Sequence, residues 1–214
     1  IIKESNTFHK NKFFPSSKLN YAENLLKKNN KKNAIIFKSE NGFKNSLSWK
    51  DLNLNVANVS NWMKLNKIKK GDRVAAYMPN VIETVIAYIS TSAIGAIWSS
   101  CSPDFGTAGL IDRFSQINPK ILFLGDKYFY NGKQINIIER LPLILKQIPS
   151  IKKVIIVPYP GTKFIKKKIL KSNTYMWNDL INFKKNKINY QMLNFNDPLT
   201  ILYSSGTTGK PKCI

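Results

Sequence analysis

The chain has 214 residues, of which 43% are apolar, and its 34 Lys and Arg against 12 Asp and Glu give a formal net charge of +22. This apolar content is ordinary for a globular chain with a core. The arginines are Arg73, Arg113 and Arg140, so the excess is scattered lysine. Nucleic-acid partners are therefore not expected, since their binding proteins concentrate arginine on one face. Cys101 and Cys213 lie far apart, which excludes a disulfide framework or cysteine metal motif and favours a reducing cytoplasm.

The N-terminal region is expected to contain an arm, a short helix and a hairpin. Asn20 is a suitable N-cap for an amphipathic helix over residues 21–26. Residues 34–38 and 43–47 are expected to be two strands, joined by a tight turn at Asn41-Gly42.

A second, larger unit is expected to follow this hairpin. We therefore assign residues 1–47 to an N-terminal region and residues 48–214 to the start of the larger domain. Ser48 is expected to cap a long helix that begins at Trp49, with Asp51 in the first turn, where the helix dipole favours an acid.

Beyond this helix, short apolar strands alternate with helices of ten or more residues. The expected strands are residues 73–77, 96–99, 121–124 and 153–157, and the expected helices are residues 81–94, 107–117 and 135–148. Such alternation predicts an α/β fold with a doubly wound, largely parallel sheet flanked by helices. The apolar stretch from Val81 to Trp98 contains Glu83 and several hydroxyl residues, so no membrane span is expected.

The end of the chain carries the clearest chemical pattern. Residues 199–203 are expected to form a short buried strand, which leads into a loop of glycine and hydroxyl residues. Glycine lets backbone N–H groups approach an anion, hydroxyls add donors and lysines neutralise phosphate charge. The candidate phosphate-binding residues are Ser204, Ser205, Gly206, Thr207, Thr208, Gly209, Lys210 and Lys212. Their spacing is not that of a Walker A loop, and composition alone leaves a flexible turn as the alternative.

The string from Ser204 to Lys212 resembles the nucleotide-phosphate loop of the adenylate-forming superfamily, which includes acyl-CoA synthetases, luciferases and nonribosomal adenylation domains. The resemblance implies that the loop holds the β- and γ-phosphates of ATP, with Mg²⁺ sharing the charge, while a carboxylate attacks the α-phosphorus. It also implies that the chain is part of the large N-terminal domain of such an enzyme. The string is far more specific than a lone pair of glycines.

A second informative stretch runs from Ser102 to Lys120. Asp104, Asp112 and Arg113 are catalytic candidates by residue type. The favoured interpretation is a turn acid and a helix-surface ion pair, because surface pairs are common and contribute little.

Together with its neighbours, this stretch resembles the acetoacetyl-CoA synthetases in particular. The strings that carry the resemblance are collinear and span nearly the whole chain: Phe14-Pro15 and residues 19–26, 97–100, 102–120, 130–133 and 203–213. Acetyl-CoA synthetases usually have Ser-Pro-Glu-Ala where this chain has Ser-Pro-Asp-Phe at 102–105, and Gly where it has Cys213.

The resemblance also implies a CoA-binding segment at Tyr130, Asn131, Gly132 and Lys133, which aligns with a short arginine-containing segment of the acetyl-CoA synthetases. Lys133 would supply a point charge to the phosphates of CoA. Tyr130 replaces the family's first arginine, and an exposed Asn-Gly turn with a solvated lysine is the alternative.

By this resemblance, the complete protein is expected to be a cytoplasmic acid–thiol ligase whose substrates are acetoacetate, ATP and CoA. No catalytic residue or metal ligand is expected in this chain, since an ionised carboxylate is already the nucleophile. The family's adenine, Mg²⁺ and C-terminal lid motifs would follow Ile214. The 214 residues are therefore expected to be an N-terminal fragment without ligase activity of its own.

Two other functions stay open. One is a ligase for acetate, propionate or another short acid, because the residues that shape the acyl pocket would lie after the loop. The other is a non-catalytic basic binding module, which steeply salt-dependent DNA binding would favour. No pattern in the sequence indicates an oligomeric state.

Overall fold

A computed structural model describes residues 2–7, 10–164, 173–185, 187–205 and 209–214. The helices are α1 (Tyr21–Leu25), α2 (Trp49–Leu65), α3 (Ile82–Ala93), α4 (Gly106–Ile117), α5 (Leu141–Gln147) and α6 (Trp177–Ile181). The longer strands are β4 (Asn33–Lys38), β5 (Lys44–Ser48), β6 (Arg73–Tyr77), β7 (Ile97–Cys101), β8 (Ile121–Gly125), β9 (Lys127–Tyr130), β10 (Lys133–Asn136), β11 (Lys153–Val157) and β12 (Thr174–Met176). The two-residue strands are β1 (Ile2–Lys3), β2 (Lys12–Phe13), β3 (Lys18–Leu19), β13 (Leu193–Asn194), β14 (Tyr203–Ser204) and β15 (Lys212–Cys213).

The core is a five-stranded parallel sheet with the strand order β12-β11-β8-β6-β7. Its central strand β8 reads Ile-Leu-Phe-Leu-Gly and is buried along its whole length. Such continuous apolar strands are typical of parallel sheets that are covered on both faces.

The order of the strands explains where the helices lie. The chain moves from β6 to the edge strand β7 and then back across β6 to β8 and β11. Because parallel crossovers are right-handed, this reversal places α3 on one face and α4 with α5 on the other. In agreement, α2 packs against α3, and α4 packs against α5. The doubly wound, largely parallel α/β sheet predicted from the sequence is confirmed.

The predicted caps and the N-terminal hairpin are also confirmed. Asn20 accepts a hydrogen bond from the Glu23 N–H as the N-cap of α1, and Ser48 accepts one from the Asp51 N–H as the N-cap of α2. Strands β4 and β5 pair antiparallel across a turn in which Gly42 has a φ of 82°.

The expected helix over residues 135–148 is wrong in its first half. Residues 133–136 instead form β10, which pairs antiparallel with β9, and α5 begins only at Leu141. Pro142 lies in the first turn of α5, where its missing N–H costs nothing, so the proline marks the true start of the helix. Within the described ranges, no helix has both the length and the apolar character needed to cross a membrane.

Candidate functional site

The segment that enters the candidate phosphate loop runs beside the edge strand β7. Thr200 forms a parallel bridge with Trp98, and the Ile201 N–H donates to the Trp98 carbonyl at 2.8 Å. A segment parallel to β7 heads toward the carboxyl edge of the sheet, where open α/β sheets bind their ligands.

The expected buried strand over residues 199–203 is wrong in its extent. Only a single bridge joins this segment to β7, and the Leu202 side chain is 62% exposed. The backbone of Leu202 instead pairs with Ile214, whose N–H and carbonyl lie 2.9 and 3.1 Å from their partners. The chain thus leaves the sheet at Leu202 and turns toward the segment that returns from the loop.

The loop closes on a short antiparallel ribbon, β14 and β15, which we call the stem hairpin. Tyr203 pairs with Cys213, and Ser204 pairs with Lys212. The structure therefore brings together Ser204 and Lys212, two of the candidate residues that are eight positions apart in the sequence.

The other described loop residues lie beyond this stem and face solvent. Ser205, Gly209, Lys210 and the Lys212 side chain are exposed. Gly209 has a φ of +113°, a conformation that L residues rarely adopt, so a glycine is required there. The candidates Gly206, Thr207 and Thr208 lie outside the described residues.

Two neighbouring elements support the stem hairpin. The Ser99 Oγ of β7 lies 3.1 Å from the Tyr203 hydroxyl, which in turn donates to the Arg113 carbonyl of α4 at 3.3 Å. Gln116, also on α4, donates from Nε2 to the Pro211 carbonyl at 2.8 Å. Burial raises the pKa of Tyr203 to about 12, so its hydroxyl keeps its proton at neutral pH.

Ser99 and Gln116 were not predicted as site residues, and Arg113 was assigned to a helix-surface ion pair. The Arg113 guanidinium instead lies 4.0 Å from the centre of the Phe105 ring and donates to the Gly109 carbonyl at 2.8 Å. The helical spacing of Arg113 and Gln116, three residues apart on one face, was the available signal. Asp104 is an exposed turn acid that accepts a hydrogen bond from the Ser102 hydroxyl at 2.8 Å.

The candidate CoA-binding segment is the turn of the β9–β10 hairpin. Tyr130 pairs with Lys133, and Asn131 and Gly132 both have positive φ, at 50° and 72°. This is the two-residue turn that asparagine and glycine favour. The Gly132 N–H donates to the Glu40 carboxylate at 2.6 Å, while the Tyr130 and Lys133 side chains are exposed.

Both candidate segments leave the same edge of the sheet. Strand β9 begins two residues after β8 ends at Gly125, and the segment that leads into the stem hairpin runs parallel to β7 at Thr200. Within the part of the chain that the structure describes, no group of three or more His, Cys, Asp or Glu side chains could hold a metal ion. The described candidate residues at this edge carry lysine ammonium groups, hydroxyls and backbone N–H groups, which suit an anion.

Comparison with known proteins identifies the family of the chain. The family model described as AMP-binding enzyme matches residues 22–214. The chain is 40% identical over 203 residues to an acetoacetyl-coenzyme A synthetase of Rhizobium meliloti strain 1021, and 41% identical over 209 residues to an acetoacetyl-CoA synthetase of Xenopus tropicalis. These matches cover 95% and 94% of the chain but 31% of each relative.

A solved structure gives the same result. The acetoacetyl-CoA synthetase from Streptomyces lividans matches with a TM-score of 0.87 and 33% sequence identity, over 95% of this chain and 31% of the solved chain. The chain thus spans about a third of the length of these relatives.

Proposed function

The chain belongs to the AMP-binding enzyme family, and on this premise we propose that the complete protein activates acetoacetate with ATP and transfers it to CoA. In the first step, a carboxylate oxygen of acetoacetate attacks the α-phosphorus of ATP, and the bond to the leaving pyrophosphate breaks. In the second step, the thiol of CoA attacks the carbonyl of acetoacetyl-adenylate, which gives acetoacetyl-CoA and AMP.

The observation that carries the proposal is the stem hairpin at the carboxyl edge of the sheet, in a chain that matches acetoacetyl-CoA synthetases almost from end to end. We assign to its loop the binding of the β- and γ-phosphates. The residues proposed for this role are Ser204, Ser205, Gly206, Thr207, Thr208, Gly209, Lys210 and Lys212.

The work of these residues is electrostatic. Developing negative charge on the leaving pyrophosphate is stabilised by donors that are already oriented toward it. Lys212 and Ser204 occupy facing positions of the stem, so an ammonium and a hydroxyl are carried on opposite strands at the base of the loop. The chain needs no general base for the first step, because acetoacetate is ionised at neutral pH.

Mg²⁺ is proposed to accompany the phosphates of ATP and to neutralise part of their charge. The described residues do not fit a metal site, since they contain no cluster of carboxylate, His or Cys side chains. The roles proposed for this chain are therefore given to its own lysines, hydroxyls and backbone N–H groups.

For CoA, we propose a contact at the β9–β10 turn formed by Tyr130, Asn131, Gly132 and Lys133. The exposed Lys133 ammonium would pair with a phosphate of CoA. The turn conformation holds the lysine on one strand of a hairpin, opposite Tyr130.

We further propose a cytoplasmic location and small-molecule substrates, without a nucleic-acid partner or a membrane span. The isolated 214 residues are proposed to lack ligase activity, since they span 31% of the length of the relatives. Turnover of acetoacetate by these residues alone would contradict this.

Measuring the release of AMP by the complete protein identifies the acid that it uses as a substrate. Acetoacetate, acetate, propionate and butyrate are each supplied with ATP, Mg²⁺ and CoA, and kcat/KM is compared. We expect the highest value with acetoacetate. A higher value with another acid would retain the ligase chemistry and replace the substrate, and salt-sensitive DNA binding without any AMP release would favour a basic binding module.

A further inference from the structure

One face of α4 touches both strands of the stem hairpin. Arg113 lies next to the strand that enters the loop, and Gln116 lies next to the strand that leaves it. The two residues are three positions apart, which places them on the same side of the helix.

Arg113 holds Tyr203 in two ways. Its carbonyl accepts a hydrogen bond from the Tyr203 hydroxyl at 3.3 Å, and its guanidinium carbon lies 5.8 Å from the centre of the Tyr203 ring. The same guanidinium is fixed by the Phe105 ring at 4.0 Å and by the Gly109 carbonyl at 2.8 Å. The position of the Arg113 side chain is therefore fixed by its own helix and by the preceding turn, independently of Tyr203.

Gln116 holds the opposite strand through the backbone. Its Nε2 donates to the Pro211 carbonyl at 2.8 Å and to the Asp112 carbonyl at 2.7 Å. The Cys213 thiol lies 3.6 Å from the Gln116 Oε1, on the other side of Lys212. The amide of Gln116 thus contacts the residues before and after Lys212.

The stem hairpin itself is short. Its strands contain two residues each, and an isolated two-stranded ribbon is only marginally stable in water. Tyr203 packs partly buried against the core, whereas Lys212 and Cys213 of the returning strand are exposed, so burial contributes little to that strand. A phosphate-binding loop needs its donors held to within about half an ångström, and α4 is the rigid element in contact with both strands.

We propose that Arg113 and Gln116 are positioning residues for ATP, which act by holding the two strands of the stem hairpin at a fixed separation. This inference rests on the function proposed above. Gln116 is the better residue to substitute, because it is exposed and contributes little to the core. Arg113 also stabilises the turn at Phe105, so its substitution would have a second effect.

The experiment compares Gln116→Glu and Gln116→Leu in the complete protein. Glutamate keeps the shape of glutamine but removes the donor to the Pro211 carbonyl, and leucine removes both polar groups. Gln147→Leu is the matched control, since Gln147 is an exposed glutamine at the end of α5. The KM values for ATP and for acetoacetate are measured separately by acid-dependent ATP–pyrophosphate exchange.

We expect both Gln116 variants to raise the KM for ATP about threefold to tenfold, the loss associated with one hydrogen bond, while the KM for acetoacetate changes by less than about twofold. Hydrogen–deuterium exchange is the second readout. The amides of Leu202 and Ile214, which bond to each other's carbonyls, are expected to exchange faster in the Gln116 variants and not in the control.

The outcomes separate the two proposals. An unsubstituted protein that exchanges pyrophosphate, together with Gln116 variants of unchanged KM for ATP, would overturn the positioning role and leave the proposed function standing. An equal rise in the KM values for ATP and acetoacetate would also overturn it, because a general loss of structure affects both substrates. Absence of exchange in the unsubstituted protein would instead overturn the proposed function and the positioning role that rests on it.

Discussion

The Ser99 Oγ lies 3.1 Å from the Tyr203 hydroxyl, and this contact joins a fully buried residue of the sheet to the strand that enters the candidate loop. The two hydroxyl groups make three short contacts: one with each other, one between Ser99 and the Ile201 carbonyl, and one between Tyr203 and the Arg113 carbonyl. They carry two protons between them, so the three contacts cannot all be hydrogen bonds at the same time. The base of the loop is therefore tied to both the sheet and α4, while its described tip faces solvent.

Removing the Tyr203 hydroxyl is expected to loosen this connection. In Tyr203→Phe, the contacts of the hydroxyl with Ser99 and with the Arg113 carbonyl are both lost, while Ser99 can still donate to the Ile201 carbonyl. We expect a loss of about 0.5–1.5 kcal/mol in the free energy of unfolding. Urea denaturation of the complete protein measures it. Tyr190→Phe, at a half-buried tyrosine, is the control, and equal stability of Tyr203→Phe and the unsubstituted protein would contradict the link.

Gly209→Ala tests the backbone of the loop. Among the residues that the structure describes, the new Cβ would meet nothing within 4 Å, so we expect the effect to arise from the φ of +113° rather than from a clash. We expect about 1–3 kcal/mol of strain and a corresponding rise in the KM for ATP. Gly132→Ala has the same open surroundings and a φ of +72° in the β9–β10 turn, and it should leave the KM for ATP unchanged. A normal KM for ATP in Gly209→Ala would show that phosphate binding does not depend on this conformation.

Lys133→Met tests the candidate CoA contact. Loss of an exposed ammonium that pairs with a phosphate is expected to raise the KM for CoA about threefold to tenfold. ATP–pyrophosphate exchange, which does not use CoA, should keep its rate. Lys146→Met on α5 controls for the removal of one exposed lysine. If the KM for CoA is the same in both variants, the segment is an ordinary hairpin turn.

Glu83 gives a pH-dependent contribution to stability. Burial raises the pKa of this carboxyl, and its Oε2 has no hydrogen-bond partner among the described residues. A raised pKa in the folded state means that the folding free energy is most favourable below the ordinary carboxyl pKa and declines as pH rises through the folded-state value.

Glu83→Gln, which carries no charge to bury, is therefore expected to raise the melting temperature at about pH 7.5 and to have little effect at about pH 4. Thermal unfolding at the two pH values is the measurement. Glu23→Gln, at an exposed acid in the first turn of α1, should show no such gain at high pH. A melting temperature for Glu83→Gln that is lower at both pH values would mean that the carboxylate makes a favourable contact.

The parts of the fold that depend on local interactions were predicted correctly from the sequence. We could predict the caps at Asn20 and Ser48 and the apolar strands of the sheet, because helix capping and strand burial depend on a few neighbouring residues. The helix over residues 135–148 was predicted too long, since β10 is defined by pairing with β9 rather than by its own residues.

The chemistry of the candidate site could be predicted from the sequence, but the contacts that hold the loop in place could not. Hydroxyl residues, glycines and lysines in one loop indicated an anion, and the structure pairs Ser204 with Lys212. The contacts of Tyr203 with Ser99 and Arg113 join residues that are 104 and 90 positions apart, and no local pattern carries such information. The early end of the 199–203 strand has the same cause, because Leu202 pairs with Ile214 instead of continuing along β7.

The most direct measurement is ATP–pyrophosphate exchange by the complete protein with acetoacetate in the absence of CoA, in the unsubstituted form and as Lys212→Met. Adenylation precedes the use of CoA, so we expect exchange that requires acetoacetate and not CoA. Loss of the Lys212 charge should slow it about tenfold or more, whereas Lys146→Met should not. Exchange that needs CoA, or that proceeds without any acid, would contradict the proposed adenylation step. Exchange that is unaffected by Lys212→Met would contradict the assignment of this loop to the phosphates of ATP.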